Sequence, residues 1–399
     1  MSQGPGWGAV AVAGMQVTGL GVLYAWSVLI GPVQAHYGVD RTATGMVFSV
    51  SIAVFTLAVL TAPRLLAGWR LSAAGALACF IGAAGLACAA FAPNFVVFTV
   101  GYGGVFALAS GLGYASGLQM ALTSGVARPG LATGVIVAAF ALGAVVLGPI
   151  IGHLGSGGAL AAALILPAAI LAVVAILSVG MQRYCATPSR CFPMHDAPSA
   201  TSPVDQPSPG PVLTWMLWCG FATGAAGGLM VLGHAAGIVA ETGGSVRLAG
   251  IAVSMISIGN ALGRLTSGAI ADYLGPRGVL FVAAVLLGVS TGTMALMIDS
   301  TITVVTLAFA GLSYGLMATG YPVAVHRFYS AQRFGPVYGR VFTAWGLAGL
   351  VAPFAAGWMF DRTGSYHVAL LLAMIAAFMS ALISLGFPRH RRQERPDLS

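Results

Sequence analysis

Asn260-Ala-Leu-Gly-Arg264-Leu-Thr-Ser267-Gly268-Ala-Ile-Ala-Asp272-Tyr-Leu-Gly275-Pro-Arg277 is the stretch that decides how the chain is read. It closes an apolar run that begins near Leu248 and carries an arginine well inside that run. A charge at bilayer depth costs about 2.5–3.5 kcal/mol on insertion scales, so a spanning helix that keeps one is expected to use it. Asn260 lies one turn before Arg264, and Ser267 and Ala271 follow at helical spacing. A stripe of this kind on an apolar helix is expected to face a water-filled cavity. The glycines at 268 and 275 permit a tight turn between two spans, with Asp272 placed to meet a helix dipole or an arginine.

Composition agrees with a lipid-solvated chain. Of 399 residues, 58% are hydrophobic and 7% charged, where a soluble protein carries about 25% charged. The 56 glycines let helices approach closely, as small-residue interfaces in membranes require. All 17 basic residues are arginine, which removes Schiff-base lysines and lysine-dependent ion sites. The net charge of +8 has no basic face to carry it, so no nucleic-acid partner is expected. Cys79, Cys88 and Cys219 lie in apolar runs, and Cys185 and Cys191 in a loop; they read as idle thiols, with no metal and no cofactor implied.

Stretches of about twenty apolar residues recur twelve times: 7–30, 43–62, 71–91, 95–119, 131–153, 158–181, 213–239, 248–271, 277–298, 301–325, 337–360 and 366–387. The first is too long for the apolar core of a signal peptide and reads as a span. With the N-terminus inside, thirteen arginines fall on the inner side, against Arg41, Arg247 and Arg362 outside and Arg264 in the membrane. That bias puts both termini in the cytoplasm. Residues 182–212 hold seven prolines among serines and read as a cytoplasmic linker. The chain then divides into a six-helix bundle over 1–181, a second over 213–388, and a cytoplasmic tail over 389–399.

The two sixes echo each other. Gly68 and Arg70 recur as Gly275 and Arg277, and Gly113-Tyr114 as Gly320-Tyr321, both at an offset of 207 residues. Pro149 and Gly152 answer Pro353 and Gly357 at offsets of 204 and 205. The expected fold is therefore all-α and membrane-embedded, with twelve spans in two pseudo-symmetric bundles. This plan resembles the major facilitator superfamily, whose site lies at mid-membrane between the halves. Gly268 to Arg277 resembles the superfamily's signature loop, which implies a conformational latch at Asp272 and Arg277; the matching segment Pro63–Arg70 lacks the acid. Gly6-Trp7-Gly8, Tyr24-Ala-Trp-Ser27, Arg264 and Tyr338-Gly339 resemble the monocarboxylate transporter and oxalate:formate antiporter branch. The resemblance covers the whole chain, and it implies that Arg264 binds a substrate carboxylate with Asn260 assisting. It departs in two places: lysines of the relatives are replaced near Trp26 and near Trp345.

The residues agree with that chemistry. Glu241, Asp272, Asp299 and Asp361 all lie near span ends, so no acid in the sequence neutralises Arg264. A guanidinium fork in a cavity fits a carboxylate bidentately. One buried arginine suits one carboxylate, hence a monocarboxylate. Tyr114 and Tyr321 occupy matching places, and Tyr314 lies two turns before Tyr321 on the same face, so their hydroxyls are candidates to close around a substrate hydroxyl or keto group. Tyr24 and Phe140 are candidate cavity walls, and His234 a candidate proton relay. The expected function is a secondary transporter of a lactate-, pyruvate- or formate-like monocarboxylate by alternating access. Proton symport is the first expectation, and oxalate:formate-type exchange or a drug or sugar carrier the alternatives. An intramembrane enzyme would need paired acids, a metal cluster or an activated serine in the spans, and none is evident. The expected partners are a small organic anion, protons or a counter-anion, and lipid; the protein is expected to act as a monomer in a plasma membrane, the inner membrane of a bacterium. Reporter fusions after Arg183 and after Arg391 should both read cytoplasmic; a periplasmic signal at either breaks the six-plus-six plan.

Overall fold

A computed structural model describes residues 6–388 apart from 157, 185–209, 298 and 330. Most of the expected linker and the tail over 389–399 lie outside the described residues, as do Cys185 and Cys191. The helices are α1 (Gly6–Tyr37), α2 (Arg41–Leu65), α3 (Leu71–Ala90), α4 (Phe95–Thr123), α5 (Pro129–Ser156) and α6 (Leu160–Tyr184) in the first half. The second half holds α7 (Pro211–Glu241), α8 (246–274), α9 (276–296), α10 (Ser300–Phe328), α11 (Ala331–Thr363) and α12 (His367–Leu385). Among the described residues 11 continuous helices are long and apolar enough to span a membrane. The longest, Val246–Leu296, is two spans: Gly275 sits at φ 73°, ψ 161°, outside the helical region. Glycine alone adopts that backbone cheaply, and Pro276 then starts α9 with its φ already helical. The twelve expected spans are all present.

Several helices outrun the stretches that hydropathy marks, because a helix leaves the hydrocarbon without changing its backbone. α11 starts at Ala331 rather than 337, and α7 runs two residues past 239.

The internal repeat is written into the backbone as well as the sequence. Left-handed glycines pair between the halves as Gly38 with Gly243, Gly68 with Gly275, and Gly158 with Gly364, separated by 205, 207 and 206 residues. N-caps pair too. Asp40 accepts from the Ala43 amide at 2.7 Å and Ser245 from Leu248 at 3.2 Å; Asn94 accepts from Val97 at 3.0 Å and Asp299 from Ile302 at 2.8 Å. Each cap satisfies one of the four orphan amides that a helix start leaves. The halves differ in their interruptions. α1 tightens to a 3₁₀ turn over Gly21–Ala25, and α4 widens to a π-helical turn over Val100–Phe106.

The halves meet along α2 with α11 and along α5 with α8. Glycine makes those approaches. A Cβ on Gly268 would fall 1.9 Å from the Gly130 carbonyl, and one on Gly339 2.9 Å from the Leu60 Cα. Gly134 against Arg264, Gly335 against Pro63 and Gly346 against Thr56 continue the contact. The seal therefore runs from the level of Arg264 to the end that carries Arg64, Arg128, Arg277, Arg327 and Arg333.

Within the second half, α8 and α10 interlock tightly. Cβ atoms on Gly259, Gly263, Gly311 and Gly315 would each lie 2.1–2.2 Å from a carbonyl oxygen of the facing helix. This is small-xxx-small packing on both partners, and it pins the backbone of Asn260 and Arg264 against Gly315. Gly315→Val should therefore lower the melting temperature of the detergent-purified protein, an overpacking cost of about 1–3 kcal/mol. Unchanged melting would show that α8 and α10 are not held by this contact.

Candidate functional site

Arg264 stands eleven residues before the break at Gly275, about 16 Å of helix, which is about half the length needed to cross a hydrocarbon core about 30 Å thick. It is buried. Its Nε donates to Asn260 Oδ1 at 3.0 Å, as the one-turn spacing predicts. Its Nη1 donates across the interface to the Val137 carbonyl of α5 at 3.3 Å. Thr319 of α10 donates to the Arg264 main-chain carbonyl at 3.1 Å and fixes the helix beneath it. The guanidinium carbon lies 5.9 Å from the ring centroid of Tyr314. Among the described residues the ion pair is Arg327 with Asp272, and no acid reaches Arg264. The charge is held by neutral oxygens and a ring face, each weaker than a charge-assisted bond to a carboxylate.

Around the guanidinium lies a cluster of aromatic rings built from both halves. Tyr24 sits on the 3₁₀ turn of α1, which is forced close to α5 where a Cβ on Gly21 would lie 1.8 Å from the Phe140 carbonyl. Its hydroxyl reaches Arg264, and its ring meets Phe140 edge-on at 5.0 Å. Phe140 touches Tyr114 of α4 at 5.2 Å and Phe55 of α2 at 5.5 Å. Across the interface Phe55 meets Phe342 at 5.8 Å and Trp345 at 6.0 Å, and Tyr114 meets Phe342 at 5.9 Å. Trp345 Nε1 donates to the Tyr314 hydroxyl at 2.7 Å, which locks two walls together.

The fold thus brings together Arg264, Asn260, Tyr24, Tyr114, Phe140 and Tyr314 from the sequence reading. It sets the others apart. Tyr321 is stacked on Phe221 at 4.3 Å, with its hydroxyl 3.5 Å from Ser380, inside the second bundle. Ser267 donates to the Leu316 carbonyl at 2.7 Å rather than facing a cavity. His234 has both ring nitrogens engaged, with the Pro353 carbonyl at 2.9 Å and the Tyr366 hydroxyl at 3.1 Å, among α7, α11 and the start of α12. Trp26 packs on Tyr102 at 5.0 Å within the first half, so Tyr24 and not Trp26 presents α1 to the site. Trp345, in contrast, lines it.

Phe55, Tyr338, Phe342 and Trp345 are site-lining residues that the sequence reading did not assign. Their signal was there: Phe334, Tyr338, Phe342 and Trp345 fall on one face of α11 at spacings of four, four and three. The latch candidates lie at the sealed end. Asp272 Oδ1 accepts from Arg327 Nη2 at 2.8 Å, and a Cβ on Gly130, in the first turn of α5, would lie 2.8 Å from that same oxygen. Arg277 Nη1 donates to the Phe387 carbonyl at 3.2 Å.

Residues 216–399 match the family model described as Major Facilitator Superfamily. No curated protein is significantly similar in sequence. Among solved structures, the transporter FucP in its outward conformation has 16% identity and a TM-score of 0.73, covering 96% of this chain and 99% of that one. The proton:xylose symporter XylE has 11% identity and a TM-score of 0.74, covering 96% of each chain. A variant of the Escherichia coli fucose:proton symporter FucP has 15% identity and a TM-score of 0.69, covering 96% and 98%. Two repeated six-helix bundles, matched over nearly their whole length by these structures, give the protein the major facilitator fold.

Proposed function

We propose that the protein belongs to the major facilitator superfamily and carries a small monocarboxylate across a membrane by alternating access, as a proton-coupled symporter. The observation that carries this reading is Arg264, a buried guanidinium well inside α8 with no acid against it among the described residues. A substrate carboxylate would take the guanidinium face now turned to neutral groups, with Asn260 holding Nε in place. Tyr24, Tyr114 and Tyr314 would supply hydroxyls around it, while Phe140 and the rings of α2 and α11 would exclude water from the pair. Exclusion matters because two charges attract more strongly once water no longer screens them.

Binding then couples to rocking in electrostatic terms. Arg264 bonds the Val137 carbonyl across the α5–α8 seam in the sealed arrangement. A carboxylate on the same guanidinium would replace that bond with a stronger one, and the halves would be free to separate on the sealed side. Asp272 with Arg327, and Arg277 with the end of α12, would hold the sealed state until then. The proton would travel with the substrate, because His234 spends both nitrogens on structural bonds. The similar structures XylE and FucP are named as proton symporters. Exchange of one monoanion for another is the second reading: a carrier that returned empty would expose an unneutralised Arg264, and exchange avoids that step. In either reading the protein is a carrier, not an enzyme, and works as a monomer in a bacterial inner membrane with both termini cytoplasmic.

The test is uptake of labelled short-chain monocarboxylates into proteoliposomes. Arg264→Ala and Arg264→Lys should both assemble and both lose on the order of a hundredfold in uptake, since a partner removed from a buried charge pair costs that much and an ammonium lacks the bidentate fork. Wild-type uptake by well-folded Arg264→Ala protein would make the residue structural and defeat the proposal.

A further inference from the structure

Four tyrosines from four helices lie within electrostatic reach of the Arg264 guanidinium: Tyr24 from α1, Tyr114 from α4, Tyr314 from α10 and Tyr338 from α11. Three of them have clear work there. Tyr24 reaches Arg264 itself, Tyr114 forms the wall against Phe55 and Phe140, and the Tyr314 hydroxyl accepts from Trp345 Nε1. Tyr338 differs. It is 2% exposed, and its hydroxyl is buried without a hydrogen-bond partner; it lies beside the Tyr114 hydroxyl but makes no bond of normal geometry with it. Its ring cannot swing away to find one. It is stacked on Phe334 at 5.2 Å with a 10° interplanar angle on one side and packed on Phe342 at 5.5 Å on the other.

Buried polar groups in folded proteins are nearly always satisfied, and an exception at a site asks what completes it. Phenylalanine would fill the same slot between Phe334 and Phe342 without that cost, so the oxygen is what needs explaining. It is held by the rings on either side, sits on the half opposite Tyr24 and Tyr114, and is near enough to Arg264 to feel its charge.

We infer that Tyr338 is a specificity-determining residue: its hydroxyl bonds an oxygen on the carbon next to the substrate's carboxylate and so selects short acids that carry such an oxygen over those that do not. The inference rests on the monocarboxylate reading of Arg264. A phenol both donates and accepts, so a 2-hydroxy and a 2-oxo acid satisfy Tyr338 equally, whereas an unsubstituted acid of the same length leaves it unpaired. Sites that hydrogen-bond a substrate oxygen reject the analogue lacking it far more strongly than apolar pockets discriminate by size. The oxygen that Tyr338 meets belongs to a molecule already held by Arg264 of the same half, so recognition does not depend on which side of the membrane is open.

The decisive comparison is 2-hydroxypropionate against propionate, with the full-length protein in proteoliposomes. Wild-type protein should favour the hydroxy acid in kcat/KM by about tenfold or more, and Tyr338→Phe should collapse that ratio towards one. A structural role would change both acids together and leave the ratio standing, which overturns the inference. Melting of the purified protein gives a second reading independent of transport: 2-hydroxypropionate should stabilise wild type more than propionate does, and Tyr338→Phe should stabilise equally with both. An unaltered difference in Tyr338→Phe overturns the assignment of this residue alone. Wild-type protein that neither moves nor is stabilised by either acid overturns the monocarboxylate reading and the inference with it.

Discussion

An unneutralised guanidinium at the middle of a lipid-solvated chain is the constraint on which the rest of the structure depends. Arg264 cannot be left in hydrocarbon, and it has no acid to pair with among the described residues. The fold meets that cost locally with Asn260, the Val137 carbonyl and the face of Tyr314. These partners hold the charge without cancelling it. That is what supports the proposal of a carboxylate ligand, which would improve an interaction already made rather than meet the whole desolvation of the arginine.

Glycine makes the arrangement geometrically attainable. α8 and α10 approach until backbone meets backbone at Gly259, Gly263, Gly311 and Gly315, which fixes the height and rotation of Arg264. Gly130, Gly268 and Gly339 do the same between the halves. The two sets serve different ends. The first lies within one half and keeps the arginine in place, whereas the second lies on the seam between the halves. In lipid such contacts rely on close van der Waals packing rather than on a hydrophobic force. The seam is therefore a contact of closely matched surfaces.

Much of this was legible in the sequence, and the limits of legibility have physical causes. Twelve spans, the break at Gly275 and the two-fold repeat follow from hydropathy, a glycine before a proline, and offsets near 206, because each is a local property of the chain. Arg264 and Asn260 follow from helical spacing. Tyr321 misled by symmetry: it matches Tyr114 in sequence, but the two bundles fill their interiors differently, and Phe221 captures it in one of them. His234 reads as titratable in sequence, and only the fold reveals Pro353 and Tyr366 beside it. Phe55 and Phe342 were overlooked because most membrane phenylalanines merely pack. What distinguishes this pair is contact across the seam, which no single-helix pattern encodes.

The central claim is that Arg264 binds a carboxylate by charge, and calorimetric titration of the detergent-purified protein tests it most directly. The two ligands are 2-hydroxypropionate and its amide, nearly identical in shape and different in charge. The account predicts that the anion binds, that the amide does not, and that Arg264→Gln abolishes binding of the anion. Equal affinity for the amide, or binding that survives in Arg264→Gln, would contradict it.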